Sequence, residues 1–285
     1  MSIELAQQTE LIAFDYDGTA AVERGAVPDA MVEGVKAIHG AGIATSMITA
    51  RPYKRLLAVC GGIVAVNRIV SADHPLATER GGRIVGHDRT TNLEYNALNP
   101  DELDAIADLR PDNVDYVVFY PEAPSGDSLI WSPDPAKRAA MKVRFGAGAV
   151  ILREDKTALG RSLREARPCQ VMLRFKAPDT SNRDAIAPEL NAAWEGSVAS
   201  IVAEGINKSS ALKSLCEITG IPVHETRYAG NDTSDLPILC NPALRERIFV
   251  GDKPLEGMAD PVTKLATPVM LGHHLLRIAQ NCASV

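Results

Sequence analysis

The chain has little cysteine chemistry. Its five cysteines (Cys60, Cys169, Cys216, Cys240 and Cys282) are odd in number and widely scattered, and no Cys-x-x-Cys pair occurs. That excludes a zinc ribbon or a dithiol redox motif and fits a reducing, cytoplasmic compartment. No apolar run approaches the roughly 20 residues that span a bilayer. The stretch Met1 to Gln8 lacks the basic-then-apolar pattern of a secretion signal, so an intracellular protein with no membrane partner is expected. There is no internal repeat and no low-complexity tract. Nor is there an excess of positive charge: 30 Lys and Arg face 36 Asp and Glu, a formal net charge of −6, which argues against nucleic acid as a partner. What remains is an ordinary globular composition over 285 residues, enough for one large domain or two smaller ones.

The first segment alternates strand and helix. Leu11 to Phe14 is a short continuous apolar run, as expected of a strand buried on both faces. Pro28 opens a helical pattern with Met31, Val32, Val35 and Ile38 on one side, closed by Gly40 and Gly42. Ile43 to Ile48 reads as a second strand, Tyr53 to Val59 as a helix after Pro52, and Ile63 to Val66 as a third strand. The tail repeats this grammar: a helix over Asn207 to Thr219, strands near Arg227 to Ala229 and Arg247 to Val250, a short helix around Leu236 to Cys240, and a last helix over His274 to Ala283. Such alternation indicates a parallel sheet. The middle differs. Strand patterns at 83–85, 116–120, 129–131, 150–152, 170–175 and 198–202 mix with helical patterns at 100–109, 135–145 and 181–194. The expected fold is an α/β, three-layer parallel-sheet core formed by residues 1–77 and 204–285, with an α+β domain, residues 78–203, inserted into it.

Asp15-Tyr16-Asp17-Gly18-Thr19 follows the first strand directly. Ligands of parallel sheets bind beyond the carboxyl ends of strands, so two carboxylates stand at that edge, beside a glycine free to turn. Two acids so close repel one another unless a cation or proton lies between them, and a hard cation such as Mg²⁺ suits oxygen ligands. The second strand ends in Thr49-Ala50-Arg51, which presents a hydroxyl at the same edge; a helix cap is the other reading of Thr49. Lys208 starts a helix, where a cation is a poor neighbour for the dipole unless it serves an anion. Gly230-Asn231-Asp232-Thr233-Ser234-Asp235 follows another strand and is dense in oxygen ligands. Each loop alone reads as a turn or cap, but four on one sheet edge form a pattern.

These four elements, in this order, resemble the haloacid dehalogenase superfamily of phosphatases. The Asp-x-Asp-Gly-Thr signature is matched at Asp15 to Thr19. Ile48 to Arg51 is similar to the Thr-Gly-Arg stretch of the Cof-like branch, and Asn67 resembles that branch's Asn-Gly-Ala site, with Arg68 in place of the glycine. Lys208 with Ala211 and Leu212 looks like the third motif. Asp235 to Leu239 resembles the fourth motif of mannosyl-3-phosphoglycerate phosphatases, relatives of trehalose- and sucrose-phosphate phosphatases. The insertion stands where that branch carries its C2-type cap. One departure is plain: the fourth motif usually begins Gly-Asp and here it is Gly230-Asn231.

The resemblance implies a Mg²⁺-dependent phosphatase of small phosphate monoesters, sugar phosphates or related metabolites. Asp15 would be the nucleophile that forms an aspartyl-phosphate, and Asp17 the general acid and base. Thr49 and Lys208 would hold the phosphoryl oxygens. Gly18, Arg51 and Asn67 would contact substrate, and Asp15, Asp17, Asn231, Asp232 and Asp235 would bind metal. Apart from the resemblance, Arg174 on an expected strand of the insertion is a candidate to meet a second anionic group of the substrate, a solvent-facing residue being the other reading. The chain would act as a monomer or homodimer. Two other readings use the same residues: a phosphomutase that passes the phosphoryl group to a sugar hydroxyl, and a weakened site that only binds a phosphorylated ligand.

Overall fold

In the computed structural model, residues 10–22, 25–108, 114–123, 127–145, 149–152, 156–176, 186, 188–258, 260 and 262–282 are described here. The chain divides into two compact units, one formed by residues 1–93 and 207–285 and the other by residues 94–206. In chain order the first unit begins with β1 (Leu11–Phe14), α1 (Asp29–Gly40), β2 (Ala44–Met47), α2 (Tyr53–Cys60), α3 (Ile63–Val66), β3 (Leu76–Thr78) and β4 (Arg83–Val85), and the division falls within β5 (Asn92–Tyr95). The second unit follows with α4 (Pro100–Ala107), β6 (Val114–Phe119), β7 (Ser128–Trp131), α5 (Pro135–Phe145), β8 (Ala149–Ile151), α6 (Lys156–Ala166), β9 (Gln170–Phe175), β10 (Asn191–Glu195) and β11 (Val198–Val202). The first unit is completed by α7 (Lys208–Thr219), β12 (Thr226–Gly230), α8 (Leu236–Leu239), β13 (Glu246–Val250), β14 (Thr263–Leu265) and α9 (Pro268–Cys282).

The central sheet of the first unit has the order β14-β13-β12-β1-β2, with every pairing parallel. All four residues of β1 are buried, which explains its unbroken apolar run. Side chains alternate between two cores. Ile12 and Phe14 join Met31, Val35, Leu271 and Leu275, so α1 and α9 cover one face. Ala13 and Tyr228 join Leu212, Leu215 and Ile238, so α7 and α8 cover the other. Helices α1 and α9 touch backbone to backbone: a Cβ on Gly272 would lie 2.3 Å from the carbonyl oxygen of Ala30. The chain runs from β1 outward to β2 and later returns on the other side at β12. Strand order therefore reverses between β1 and β12, the place where such sheets bind ligands.

The second unit has a six-stranded mixed sheet, β10-β11-β9-β6-β7-β8, in which only β7 and β8 run parallel. Leu103 and Ile106 of α4 and Leu159 and Leu163 of α6 pack on one face, against Val171, Leu173 and Phe175 of β9. Trp131 lies in this core, and Trp194 stacks on Phe175 with ring centroids 5.3 Å apart. Among the described residues no helix is long and apolar enough to cross a membrane.

The α/β core with an inserted α+β unit is the expected fold, and several details differ. The first division falls after Leu93 rather than before residue 78, because β3, β4 and β5 form a small sheet, and β3 bridges to the core sheet through Ile48 and Ala77. The second falls before Asn207 rather than residue 204. Ile63–Val66 is a helical turn, not a strand; Ile63 and Val64 are exposed, so this apolar run is not a buried one. The helix expected over 181–194 gives way at 191–194 to β10, which pairs with β11; residues 181–185 and 187 lie outside the described residues.

Candidate functional site

The site assembles at the carboxyl ends of β1, β2 and β12. Asp15, the residue after β1, is fixed by its N–H donating to the carbonyl of Ala229 on β12 at 2.9 Å, and it is buried. Its Oδ1 lies 3.1 Å from Nζ of Lys208. Lys208 is the first residue of α7, whose start is fixed by a capping box. Asn207 Oδ1 accepts from the N–H groups of Ser209 and Ser210, and Ser210 Oγ accepts from Asn207 N–H. Helical side chains lean toward the N-terminus, which sends this lysine into the site with its side chain 1% exposed.

Asp235, also buried, is the anchor of the β12–α8 loop. Its Oδ1 accepts from Lys208 Nζ at 2.7 Å and from Tyr228 Oη at 2.6 Å. Its Oδ2 accepts from the N–H groups of Asn231 at 2.9 Å and Asp232 at 3.1 Å. Four donors use its lone pairs. Asp232 is more exposed; its Oδ1 accepts from Ser234 N–H and Oγ and lies 4.0 Å from Lys208.

Asp17 behaves differently. Arg51 grips its carboxylate with two bonds, Nε to Oδ2 at 2.6 Å and Nη2 to Oδ1 at 2.5 Å, the forked geometry in which charge-assisted bonds are strongest. The same guanidinium lies over the Tyr16 ring, 5.8 Å from its centroid. Bonding to Asp17 holds Arg51 above the usual arginine value. Thr49 is buried, and its hydroxyl oxygen accepts from the Arg51 N–H at 3.1 Å, so it orders its own loop rather than capping α2.

Electrostatics follow from burial. Desolvation pushes Asp15 up to about 8, with Asp235 and Asp232 adding to the rise and Lys208 opposing it. Burial works against the charged form of Lys208, but Asp15, Asp235 and Asp232 outweigh it and hold the lysine above its usual value. For Asp232 burial is likewise outweighed, by Lys208 and the Ser234 bonds, and its carboxyl lies below the usual range.

Gly18 has φ +74°, and a Cβ there would lie 2.2 Å from Nδ2 of Asn231. This glycine lets the Asn231 carboxamide lie against the Asp15–Thr19 loop. With its oxygen inward, that amide accepts from the buried Thr19 hydroxyl at 3.0 Å. Turned over, its nitrogen donates to the Asp17 carbonyl at 2.8 Å, Thr19 Oγ1 at 3.0 Å and Asp15 Oδ2 at 3.2 Å.

The donor set fits a divalent cation. Carboxylate oxygens of Asp15, Asp232 and Asp235 lie within 4.8 Å of one another. Lys208 already stands among these three, and Asp235 is saturated, so the better-placed oxygens are those of Asp15, the Asp17 main chain, Asn231 and Asp232. With its oxygen inward, Asn231 stands 2.8 Å and 3.2 Å from the Asp17 carbonyl and Asp15 Oδ2. Ligands about 2.1 Å from an octahedral Mg²⁺ are roughly 2.9 Å apart.

Of the residues marked in the sequence, Asp15, Asp17, Gly18, Lys208, Asn231, Asp232 and Asp235 are joined by these contacts, and Thr49 enters through Arg51. Asn67 has another partner: it closes α3, and its Oδ1 accepts from Arg89 Nε at 3.0 Å. Arg174 lies on β9 in the inserted unit, half-buried. Thr19, the last residue of the first-loop signature but given no role there, bonds the Asn231 side chain. Two contributors were not marked. Tyr228 bonds the Asp235 side chain and stands in a buried strand. Arg80 donates its N–H to the carbonyl of Thr49 at 3.0 Å and feels the Asp232 charge, while burial lowers its own pKa. The Gly81-Gly82 pair after β3 was the available signal for that turn.

Comparison with known proteins agrees with this geometry. The family model of haloacid dehalogenase-like hydrolases matches residues 12–241. The chain belongs to that family. Solved structures with the same fold include a phosphatase of the haloalkanoate superfamily from Bacteroides thetaiotaomicron (16% identity, 100% of this chain and 99% of that one, TM-score 0.72). A subclass IIB sugar phosphatase matches at 18% identity, over 95% and 99% of the chains, with TM-score 0.72. A HAD/COF-like hydrolase from Plasmodium vivax matches at 14% identity, over 97% of each chain, with TM-score 0.74. At such identities the likeness is one of fold. No curated protein sequence matches the chain.

Proposed function

We infer that this haloacid dehalogenase-like hydrolase cleaves a small phosphate monoester, a sugar phosphate or a related metabolite, in the cytosol and with Mg²⁺ as cofactor. The observation that carries this reading is the Asp15 carboxylate, buried at the switch point of a parallel sheet, 3.1 Å from a buried lysine. Asp15 would attack phosphorus, breaking the bond to the ester oxygen and forming an aspartyl-phosphate. Asp17 would give its proton to the departing alkoxide, then take one from the water that attacks phosphorus and frees Asp15. Lys208 and Thr49 would hold the equatorial oxygens, where charge is spread in the transition state. Asp15, the Asp17 carbonyl, Asn231 and Asp232 would hold Mg²⁺, whose positive charge would offset repulsion between carboxylate and phosphate.

In this scheme Arg51 has two uses. It orients Asp17 through the two bonds described above, and a phosphoryl group can draw the guanidinium away and leave Asp17 free for proton transfer. Asp235 holds Lys208 and the β12–α8 loop in place rather than acting on substrate.

The test is phosphate release across a panel of phosphorylated metabolites, with and without Mg²⁺. Release that depends on the cation is expected, and Asp15→Asn should abolish it while the protein stays folded by circular dichroism. Near-native turnover by Asp15→Asn would refute the nucleophile; phosphate moved to a second position on the sugar, without free phosphate, would identify a mutase.

A further inference from the structure

One side chain on the acidic rim of the site carries no charge. Asn231 is rigid at its backbone, since its N–H is bonded to Asp235, whose own carboxylate is held by three other donors. Its carboxamide lies where a Cβ on residue 18 would stand, so neighbouring backbone confines it to one place. The remaining freedom is a half-turn of the amide plane, which exchanges nitrogen and oxygen.

That half-turn matters because of what the inner atom faces. The Asp17 carbonyl and an ionised Asp15 carboxylate only accept hydrogen bonds, and the Thr19 hydroxyl can adapt to either partner. An inward nitrogen donates to all three groups, at 2.8, 3.2 and 3.0 Å respectively. An inward oxygen meets the Asp17 carbonyl as oxygen against oxygen at 2.8 Å with no hydrogen between them, and an ionised Asp15 adds a second such contact at 3.2 Å. Such lone pairs are tolerated in a buried site only around a cation.

We propose that the Asn231 carboxamide is a two-position ligand. In the metal-free chain its nitrogen faces inward and takes the place of the cation, bridging Asp15, the Asp17 carbonyl and Thr19. On metal binding it turns over and offers its oxygen. An aspartate here would have only the second position, and would add a third acceptor to the metal-free cluster. The consequence is a site that stays ordered without metal and binds it more weakly. This inference rests on the metal-dependent reading above.

The experiment compares wild type, Asn231→Asp and Asn231→Ala by thermal melting in EDTA and in a Mg²⁺ titration, and follows the Asn231 side-chain amide protons of wild type by NMR. In EDTA both variants should melt several degrees below wild type. Asn231→Asp should bind Mg²⁺ roughly tenfold more tightly than wild type, because ligand charge sets affinity, and show the larger Mg²⁺-induced rise. The amide protons should be slow to exchange in EDTA and shift on adding Mg²⁺. Either variant melting with wild type in EDTA, or amide signals indifferent to Mg²⁺ while the metal still raises melting temperatures, would overturn the proposal and leave the metal site standing. No Mg²⁺ response in any of the three chains would instead sink the metal-dependent reading, and the two-position ligand with it.

Discussion

Lys208→Met tests the electrostatic frame of the site. The side chain keeps its length and most of its volume but loses the ammonium, which is 1% exposed and stands 3.1 Å from Asp15 and 2.7 Å from Asp235. Removing one partner of a buried ion pair costs about 3–5 kcal/mol, because the other charge is left in a poor solvent. Asp235 retains three donors, from Tyr228, Asn231 and Asp232, so the lower end of that range applies. For a folding unit of this size each kcal/mol shifts the midpoint by about 2–4 °C, so a fall of roughly 6–12 °C is expected for a cost of about 3 kcal/mol. Calorimetry in EDTA measures it. Adding Asp15→Asn to Lys208→Met removes one of the stranded carboxylates and should recover part of the loss, since coupled neighbours are non-additive by about 0.5–3 kcal/mol. A single variant melting within 2 °C of wild type (roughly the shift of 1 kcal/mol), or a double variant that recovers nothing, would refute the reasoning.

Two further outcomes follow from other parts of the structure. Gly272→Ala puts a Cβ 2.3 Å from the Ala30 carbonyl oxygen; overpacking of about 1–3 kcal/mol should exceed the ~1 kcal/mol that alanine gains over glycine in a helix. A lowered midpoint in urea is expected, with Gly40→Ala, which meets nothing within 4 Å, as the control; equal midpoints for wild type and Gly272→Ala would be the wrong result. The second concerns pH. Asp15 titrates near 8 when folded and near 3.8 when not, so the folded chain binds the extra proton and its stability falls as pH rises between those values. In EDTA, wild type should therefore lose stability relative to Asp15→Asn from about pH 4 to pH 8 and then level off, as read by urea midpoints. A difference that stays constant across that window, or grows in wild type's favour, would contradict a raised Asp15.

The parts of the site that were legible in the sequence are those where backbone position alone dictates geometry. Asp15, Thr49 and Asn231 each follow a buried strand by one or two residues, so a parallel sheet brings them to one edge without knowledge of packing. Lys208 was legible for a related reason, as a cation at a helix start that must be directed at an anion. Illegible were contacts that depend on three-dimensional neighbours. Nothing local marks Tyr228, whose hydroxyl is one more donor to Asp235. Asn67 looked like a loop residue after a strand because four apolar residues suit either a strand or a helical turn; the exposure of Val64 decides for the turn. Of the β3–β5 sheet only residues 83–85 read as a strand, and they were placed in the insertion; the Ile48–Ala77 bridge and the packing of Ala77 and Ile84 against Ala13, Leu212 and Tyr228 tie the sheet to the core.

Charge balance links Asn231 to the proposed reaction. Asp15, Asp17, Asp232 and Asp235 face Lys208 and Arg51 at the site, and Arg80 feels Asp232 from the neighbouring turn. A phosphate ester would bring about two more negative charges, and in a buried site excess charge of one sign must be met by a cation or a proton. Without a cation the proton is the outcome: Asp15 rises to about 8, and a protonated carboxyl is no nucleophile. An aspartate at 231 would deepen that deficit, whereas the asparagine lowers it by one charge and donates to Asp15 itself when its nitrogen faces inward. In the proposed scheme the asparagine that would weaken metal binding would therefore also favour the ionised form of Asp15. Both effects act on a single carboxylate, so the Asp15 titration in Asn231→Asp, followed in EDTA, should move further up than in wild type.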